Sequence, residues 1–450
     1  MDITALTFNE RDEFKRKSIA EKAISLLQAE IDISPMVIDG SWGTGKTEFC
    51  HKLINLMHEQ ESHHLIYIDA FKADHANEPL MTVLAEVIKV LPEDESKQSF
   101  VKKALPAVRY GLKTIAKAGV SHLLRQDAAD VVDDFDKQIQ QAADKTIDAT
   151  VESILKDHVE AEKNLKALQE AMAEIAAKKP IVLFVDELDR CRPNFAVDML
   201  EIIKHTFDVD GVQFVLVTNT QQLKASINHC YGAAVDAQRY LDKFIKFRFE
   251  LSDRSDRNSH NPVLAARQHF FSLAKEKKSL PDDMLKSPAF GKAIEHLIKH
   301  HTLSLREIET LVLHIEISQA LSNNKKFPEN QFLGYTLLRL IGIMLVCFKP
   351  DLISDLKKGK WDANELGKFL GVDSLPSLLQ EGHRKRPEAF DVMMVMIARD
   401  CNRNVDTYIP EESQLDEWNN YIYRGFMGGA PDQNEAMNQI LETINEMSFE

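Results

Sequence analysis

Cysteine is scarce in this chain and shows no pairing pattern. Only five occur, Cys50, Cys191, Cys230, Cys347 and Cys401, scattered and without any C-x-x-C spacing. Neither a zinc site nor a disulfide framework is indicated, and a reducing, cytoplasmic setting is expected. Long apolar runs are missing as well. No stretch of ~18 uncharged apolar residues occurs, so no membrane span is expected. Phe332 to Phe348 comes nearest, but Arg339 interrupts it, and a buried helix is the better reading. The opening Met1-Asp2-Ile3-Thr4 lacks a basic flank and an apolar core, so no secretory leader is expected. Basic charge is in deficit: 55 Lys and Arg face 70 Asp and Glu, a formal net charge of −15. That disfavours a protein whose task is to coat nucleic acid or an anionic membrane, although a local basic face contacting nucleic acid stays open. No G-x-S-x-G turn is present, which removes the nucleophile of a hydrolase triad. His296 and His300 stand four apart, but Leu297 occupies the place where a zinc protease needs Glu. The 450 residues suffice for two or three domains with sizeable cores.

What is present centres on Asp39-Gly40-Ser41-Trp42-Gly43-Thr44-Gly45-Lys46-Thr47, which fits G-x-x-x-x-G-K-[ST]. An apolar run, Pro35 to Ile38, leads into it and a helical pattern, Glu48 to Leu56, follows. Strand, glycine loop and helix are the context that a phosphate-binding loop requires. Glycines let the backbone curl so that successive N–H groups face phosphate oxygens, and the positive end of the following helix faces them too. Gly40, Ser41, Trp42, Gly43, Thr44, Gly45, Lys46, Thr47 and Glu48 are therefore expected at the phosphates. Lys46 is expected to reach the β- and γ-phosphates, and the Thr47 hydroxyl to ligate Mg²⁺. The plain alternative is a glycine turn before an ordinary helix.

A second stretch argues against that alternative. Ile181 to Val185 is five apolar residues in a row, a strand buried on both faces. Asp186 ends it, where open parallel sheets place their ligands, and an acid there suits the Mg²⁺ shell. Glu187 follows and is the natural group to polarise an attacking water. Otherwise Asp186 would be a helix cap and Glu187 a solvated acid.

Along the chain, residues 9–31 read as an amphipathic helix, with Leu6 and Phe8 before it available to an adenine ring or to edge packing. His64 to Phe71 reads as a second strand and Leu80 to Val90 as a helix. Residues 92–178 look like a helical insertion between the two nucleotide motifs. Its first part, Val101 to Arg125, is basic; residues 127–178 are acidic and alanine-rich, with Leu155, Val159, Leu165, Leu168, Met172 and Ile175 in a helical stripe. Long helices projecting from the core are expected there. Val212 to Thr218 reads as another buried strand, ending in Asn219, which either senses the γ-phosphate or caps the next helix. Arg239 to Phe249 alternates and reads as a last strand. The expected organisation is α/β: a nucleotide-binding core from residues 1–91 and 179–250, the insertion, and an all-helical lid and C-terminal region over 251–450. In that region Ser304 is placed to cap a helix. Arg306 sits near the same helix start, where a cation is unfavourable unless a phosphate or a Glu offsets it.

These residues converge on one family. Gly40 to Thr47, Ile181 to Pro193 with its Asp186-Glu187-Leu188-Asp189-Arg190-Cys191-Arg192-Pro193, Leu200 to Lys204, Phe207 to Val217 and Tyr240 to Phe244 resemble the KAP P-loop NTPases, relatives of the AAA+ and STAND ATPases. The resemblance implies an ATP-binding parallel sheet with strand order 5-1-4-3-2, with ATP favoured over GTP, and an insertion between the two motifs that in many members carries transmembrane helices. Here that place is too basic to span a membrane. Asp69-Ala70-Phe71 stands where the family often has Asn-Ala-Trp, and Asn219 where many members carry an acid. Bacterial members are associated with exclusion of phage and often work with partner proteins. The expected activity is Mg²⁺-dependent ATP hydrolysis in a switch or motor, with a nucleotide-gated module of little turnover as the alternative. Glu187 would activate water, and Arg239 or Arg306 would act as a finger or sensor toward a neighbouring subunit of a homo-oligomer or a partner effector. Lys46→Ala is expected to abolish or sharply weaken ATP binding, measured as equilibrium affinity; an unchanged affinity contradicts the loop assignment.

Overall fold

The computed structural model of the protein describes residues 6–29, 31–76, 78–91, 97–104, 151–252, 254–255, 263–380, 383–384, 386–426, 432 and 434–449. The chain divides into two units, Met1–Ser252 and Asp253–Glu450.

The first unit is built on a sheet whose inner strands are buried on both sides. Helix α1 (Lys17–Leu27) precedes β1 (Met36–Asp39), and α2 (Lys46–His58) leads to β2 (His64–Asp69) and α3 (Pro79–Val90). Helix α4 (Val151–Ala176) then enters β3 (Ile181–Asp186), followed by α5 (Pro193–Thr206), β4 (Val212–Thr218), α6 (Thr220–Tyr231) and β5 (Phe247–Glu250). All neighbouring strands run parallel, in the order β2-β3-β4-β1-β5. Read from the other edge, this is the 5-1-4-3-2 order that the resemblance implies. Parallel strands need crossovers, and the crossovers put helices on both faces. The two-residue period of the strands then sorts side chains into two cores. Ile181, Leu183 and Val185 of β3 join one cluster with Val83, Leu84 and Val87 of α3, Leu200 of α5 and Leu223 of α6. Val182 and Phe184 point the other way and pack with Ala20, Ile24 and Leu27 of α1 and Phe49 and Leu53 of α2. The loop after β1 and the acid at the end of β3 emerge together at the C-terminal edge of this sheet.

Three local expectations are corrected by hydrogen bonding that periodicity does not report. The first helix begins at Lys17 rather than residue 9, because the Asp12 carboxylate accepts the backbone N–H groups of Arg16 at 2.7 Å and Lys17 at 3.1 Å. Lys15 takes a φ of 52°, which also stops the helix from extending backwards. The second strand ends at Asp69 rather than Phe71. The Asp69 carboxylate accepts the Lys72 N–H at 3.0 Å and caps the helical turn Ala70–Ala73, leaving Phe71 exposed. The alternating stretch 239–249 is not one strand. Asp236 caps a short helix, Ala237–Leu241, and only Phe247–Glu250 joins the sheet.

The described ends of the 92–178 segment pack into the core. Phe100, Ala104, Leu168, Met172 and Ile175 belong to the first cluster, so the last turns of α4 do not project from it. Lys103 meets Glu174 at 2.8 Å, one contact between the basic and the acidic halves. Residues 105–150 of that segment lie outside the described residues.

Among its described residues the second unit is helical, with two antiparallel strand pairs of two residues each. Its helices include α7 (Ala265–Glu276), α8 (Pro288–His301), α9 (Leu305–Leu321), α10 (Leu333–Phe348), α11 (Pro350–Lys357), α12 (Ala363–Leu370), α13 (Ala389–Asp400), α14 (Leu415–Phe426) and α15 (Glu435–Met447). The apolar run 332–348 is α10, buried within this unit. Gly342 lets α15 approach it closely: a Cβ there would meet the Ile440 carbonyl at 2.9 Å. Ser304 and Glu307 form a capping box at the start of α9. His296 and His300 donate through Nε2 to the Leu370 and Lys368 carbonyls, at 2.7 and 2.8 Å, closing the C-terminus of α12. Among the described residues, no helix is long and apolar enough to cross a membrane.

Glu78, just before α3, is a buried carboxyl whose Oε1 has no hydrogen-bond partner among the described residues. Burial, and secondarily Asp198, pushes its pKa from 4.5 up to about 7. A raised carboxyl pKa means that the folded state holds a proton which the unfolded state releases between these two values. Stability from this group therefore falls as pH rises from about 4.5 to about 7 and then levels off. Glu78→Gln removes the penalty, by about 3 kcal/mol at most at 1.36 kcal/mol per pKa unit. Thermal melts should show the variant more stable than wild type at pH 8 and the gap closing toward pH 5; a gap independent of pH contradicts this.

Candidate nucleotide-binding site

The loop is anchored by the residue that precedes it. Asp39 ends β1 and accepts the Gly40 N–H at 2.8 Å and the Thr220 N–H at 3.0 Å through Oδ1. Its Oδ2 accepts the Thr220 hydroxyl at 2.5 Å and lies 3.7 Å from the Arg248 guanidinium. The start of the loop is thereby tied to β4, which ends just before Thr220, and to β5. Gly43 and Gly45 turn the chain at φ values of 73° and 79°, a region that favours glycine. The Thr44 hydroxyl donates to the Ser41 carbonyl at 2.9 Å. From the other side Arg16, itself buried, donates to the Thr44 carbonyl and to the Ser252 carbonyl, both at 2.9 Å. Its guanidinium lies over the Phe14 ring, and burial lowers its pKa to about 10.

Lys46 is 9% exposed, and its ammonium donates to the Gly40 carbonyl at 2.7 Å and the Ser41 carbonyl at 3.0 Å. Among the described residues no carboxylate stands within ion-pair distance of it. Burial lowers its pKa, and the more distant Asp189, Asp186 and Asp39 oppose that shift. A buried cation satisfied only by neutral carbonyls, beside the N-terminus of α2, fits an anionic ligand that would supply the missing charge.

The acid side is built around Asp186, 1% exposed. Its Oδ1 accepts the Glu187 N–H at 2.8 Å and its Oδ2 the Tyr67 phenol at 3.1 Å. Burial pushes its pKa up to about 6, against the lowering influence of the nearby Thr47 hydroxyl, the Glu187 N–H and the Tyr67 phenol. A hydroxyl and a carboxylate held together at the loop are the oxygen donors that suit Mg²⁺. Glu187 adopts a left-handed φ of 59°, and its Oε1 lies 2.7 Å from Arg190. Asp189 is also buried; it accepts the Trp42 indole N–H at 2.5 Å and the Thr218 hydroxyl at 3.0 Å, joining the loop to β4.

Lys46, Thr47, Asp186 and Glu187 are thus brought together. Trp42 is half exposed on the loop. The Glu48 carboxylate pairs with Lys52 at 2.7 Å, and Lys52 also reaches the Arg11 carbonyl. Asn219 places its side-chain oxygen on the Gln221 and Gln222 N–H groups and caps α6. Arg239 is exposed and pairs with Asp236 at 3.3 Å; no hydrogen bond or ion pair joins it to the loop among the described residues. Arg306 lies in the second unit, in the first turn of α9, exposed and without an ion-pair partner among the described residues. Phe8 is buried edge-on against Phe49, and the Leu6 carbonyl accepts from Asn55, the packing alternative for this segment. Sequence reasoning singled out neither Asp39 nor Asp189 for a role, although a polar residue closing an apolar strand and an acid two beyond Glu187 were visible signals. Tyr67, Arg16 and Arg190 gave no signal, because their partners are set by strand register and loop folding.

A five-stranded parallel sheet in this order, with a glycine loop after β1 and a buried acid ending β3, the next strand but one, defines a P-loop NTPase fold. The sequence model of the KAP family P-loop domain matches residues 16–322, and the chain belongs to that family. The domain is of a nucleotide-binding type, and the match takes in the loop, the acid strand and α9. No curated protein matches the chain.

Asp189→Ala would remove the acceptor shared by Trp42 and Thr218. The expected cost is roughly 1–3 kcal/mol, because the buried Thr218 hydroxyl loses its partner. Denaturant melts check the cost, and Trp emission should shift as the indole is released; unchanged stability and emission contradict the role.

Proposed function

We propose that the chain is a Mg²⁺-dependent ATPase working as a switch or motor. The observation that carries this reading is the buried Lys46 ammonium, held among the described residues only by loop carbonyls, with Thr47 next to it in the chain and the buried Asp186 near Thr47. Lys46 would exchange the Gly40 and Ser41 carbonyls for β- and γ-phosphate oxygens, and the loop N–H groups would surround the rest of the phosphate chain. Thr47 and Asp186 would hold Mg²⁺, which when bound neutralises charge on the phosphates. Glu187 would accept a proton from the attacking water as the γ-phosphate leaves ADP. Arg239 or Arg306 would complete the site in a homo-oligomer or with a partner effector; among the described residues of the first unit no hydrogen bond or ion pair ties Arg239 to the loop. The association of bacterial family members with phage exclusion extends the reading to defence against phage.

A second reading, a nucleotide-gated interaction module with little turnover, is favoured by one contact. Glu187 is engaged by Arg190 at 2.7 Å, and a carboxylate so held has to leave an ion pair before it can reach an attacking water. Phosphate release from ATP with Mg²⁺, measured over a range of protein concentrations, separates the two. An ATPase completed by assembly shows turnover per chain that rises with concentration and that Glu187→Gln reduces at least a hundredfold while ATP binding persists. Negligible release at every concentration, with Glu187→Gln behaving as wild type, selects the module.

A further inference from the structure

Tyr67 belongs to neither nucleotide motif. It lies on β2, whose register sets Tyr67 beside Phe184 and Asp69 beside Asp186. The phenol reaches Asp186 along the diagonal of the sheet, two residues on, a spacing that a long side chain can bridge. A tyrosine in an otherwise apolar strand must find a partner for its hydroxyl, and here the partner is the buried acid of the site. The Tyr67 hydroxyl donates to Asp186 Oδ2 at 3.1 Å, while Oδ1 accepts the Glu187 N–H at 2.8 Å. The Tyr67 ring is itself held: its centroid lies 4.4 Å from that of His51. His51 stands four residues after Thr47 on α2, so one face of that helix carries both. Strands β2 and β3 thus converge on one carboxylate through Tyr67 and the Glu187 N–H, and the Thr47 hydroxyl of α2 stands near enough to lower its pKa.

We propose that Tyr67 is a positioning residue for the divalent cation of the nucleotide site. Its phenol fixes the rotation of the Asp186 carboxylate, so that the carboxylate and the Thr47 hydroxyl are in register before the cation arrives. This rests on the reading of Thr47 and Asp186 as the residues that hold Mg²⁺. Tyr67 acts through Asp186 and touches neither nucleotide nor cation, as partners of metal-holding carboxylates do. Without the phenol the carboxylate keeps its bond to the Glu187 N–H but loses the restraint on its second oxygen. Cation affinity falls, whereas the loop contacts to the phosphate chain are unchanged.

Tyr67→Phe keeps the ring and its contact with His51 and removes only the hydroxyl. The experiment is equilibrium binding of a fluorescent ATP analogue to wild type and Tyr67→Phe, first in EDTA and then across a MgCl₂ titration. The proposal expects equal affinity in EDTA and a roughly tenfold higher MgCl₂ concentration for half-maximal enhancement in the variant. Superimposed titrations overturn it, and so does an equal loss of affinity with and without Mg²⁺, which would make Tyr67 a support for the loop alone. If wild type itself binds the analogue without any response to Mg²⁺, the assignment of Thr47 and Asp186 fails first, and that outcome is visible before the variant is compared.

Discussion

The first unit is arranged around a cation, Lys46, with which no described residue forms an ion pair. Removing an ammonium from water costs several kcal/mol unless an opposite charge or several acceptors compensate. Lys46 has two carbonyl acceptors and three carboxylates beyond ion-pair distance. Those carboxylates are occupied elsewhere: Asp39 ties the loop to Thr220, Asp186 receives Tyr67 and the Glu187 N–H, and Asp189 receives Trp42 and Thr218. The fold commits these acids to holding the loop, and among the described residues none of them pairs with the lysine. Most of the site's geometry follows from that division, including the left-handed glycines and the anchoring of the Thr44 carbonyl by Arg16.

Much of this was legible in the sequence for physical reasons. A short run such as Ile181 to Val185, β-branched at three positions and ended by an acid, reads as a strand covered on both faces, which is how parallel sheets are built. The glycine loop needs its residue types for backbone geometry, so Gly43, Gly45 and Lys46 carry their meaning in the sequence itself. The seven-residue strand ending at Thr218 was equally plain. What escaped was decided by single side chains competing for backbone N–H groups. Asp12, Asp69 and Asp236 each start a helix where periodicity alone extends or replaces it. Asp186 was visible as the site's acid, but the bond that orients it was not, because Tyr67 reaches it only through the pairing of β2 with β3.

The candidate arginines show the same limit. Their charge is visible in sequence, but their partners are not. Arg239 lies on a short helix rather than on a strand, with Asp236 as its partner. Arg306 lies in the first turn of a helix whose capping box is made by Ser304 and Glu307, so that Glu serves the cap. By contrast, Arg190 and Arg16 draw their significance from contacts made on folding: one engages Glu187, and the other joins the loop to the last residue of the first unit.

The central claim is that the β1 loop is a site for one nucleoside triphosphate per chain, organised by an unneutralised Lys46. Isothermal titration of the wild-type protein with ATP in the presence of Mg²⁺ tests it most directly. The account predicts saturable binding with a stoichiometry of one per chain, competed by ADP and by a non-hydrolysable ATP analogue. Absence of saturable binding by correctly folded protein, or saturation that ADP and the analogue do not displace, would contradict it.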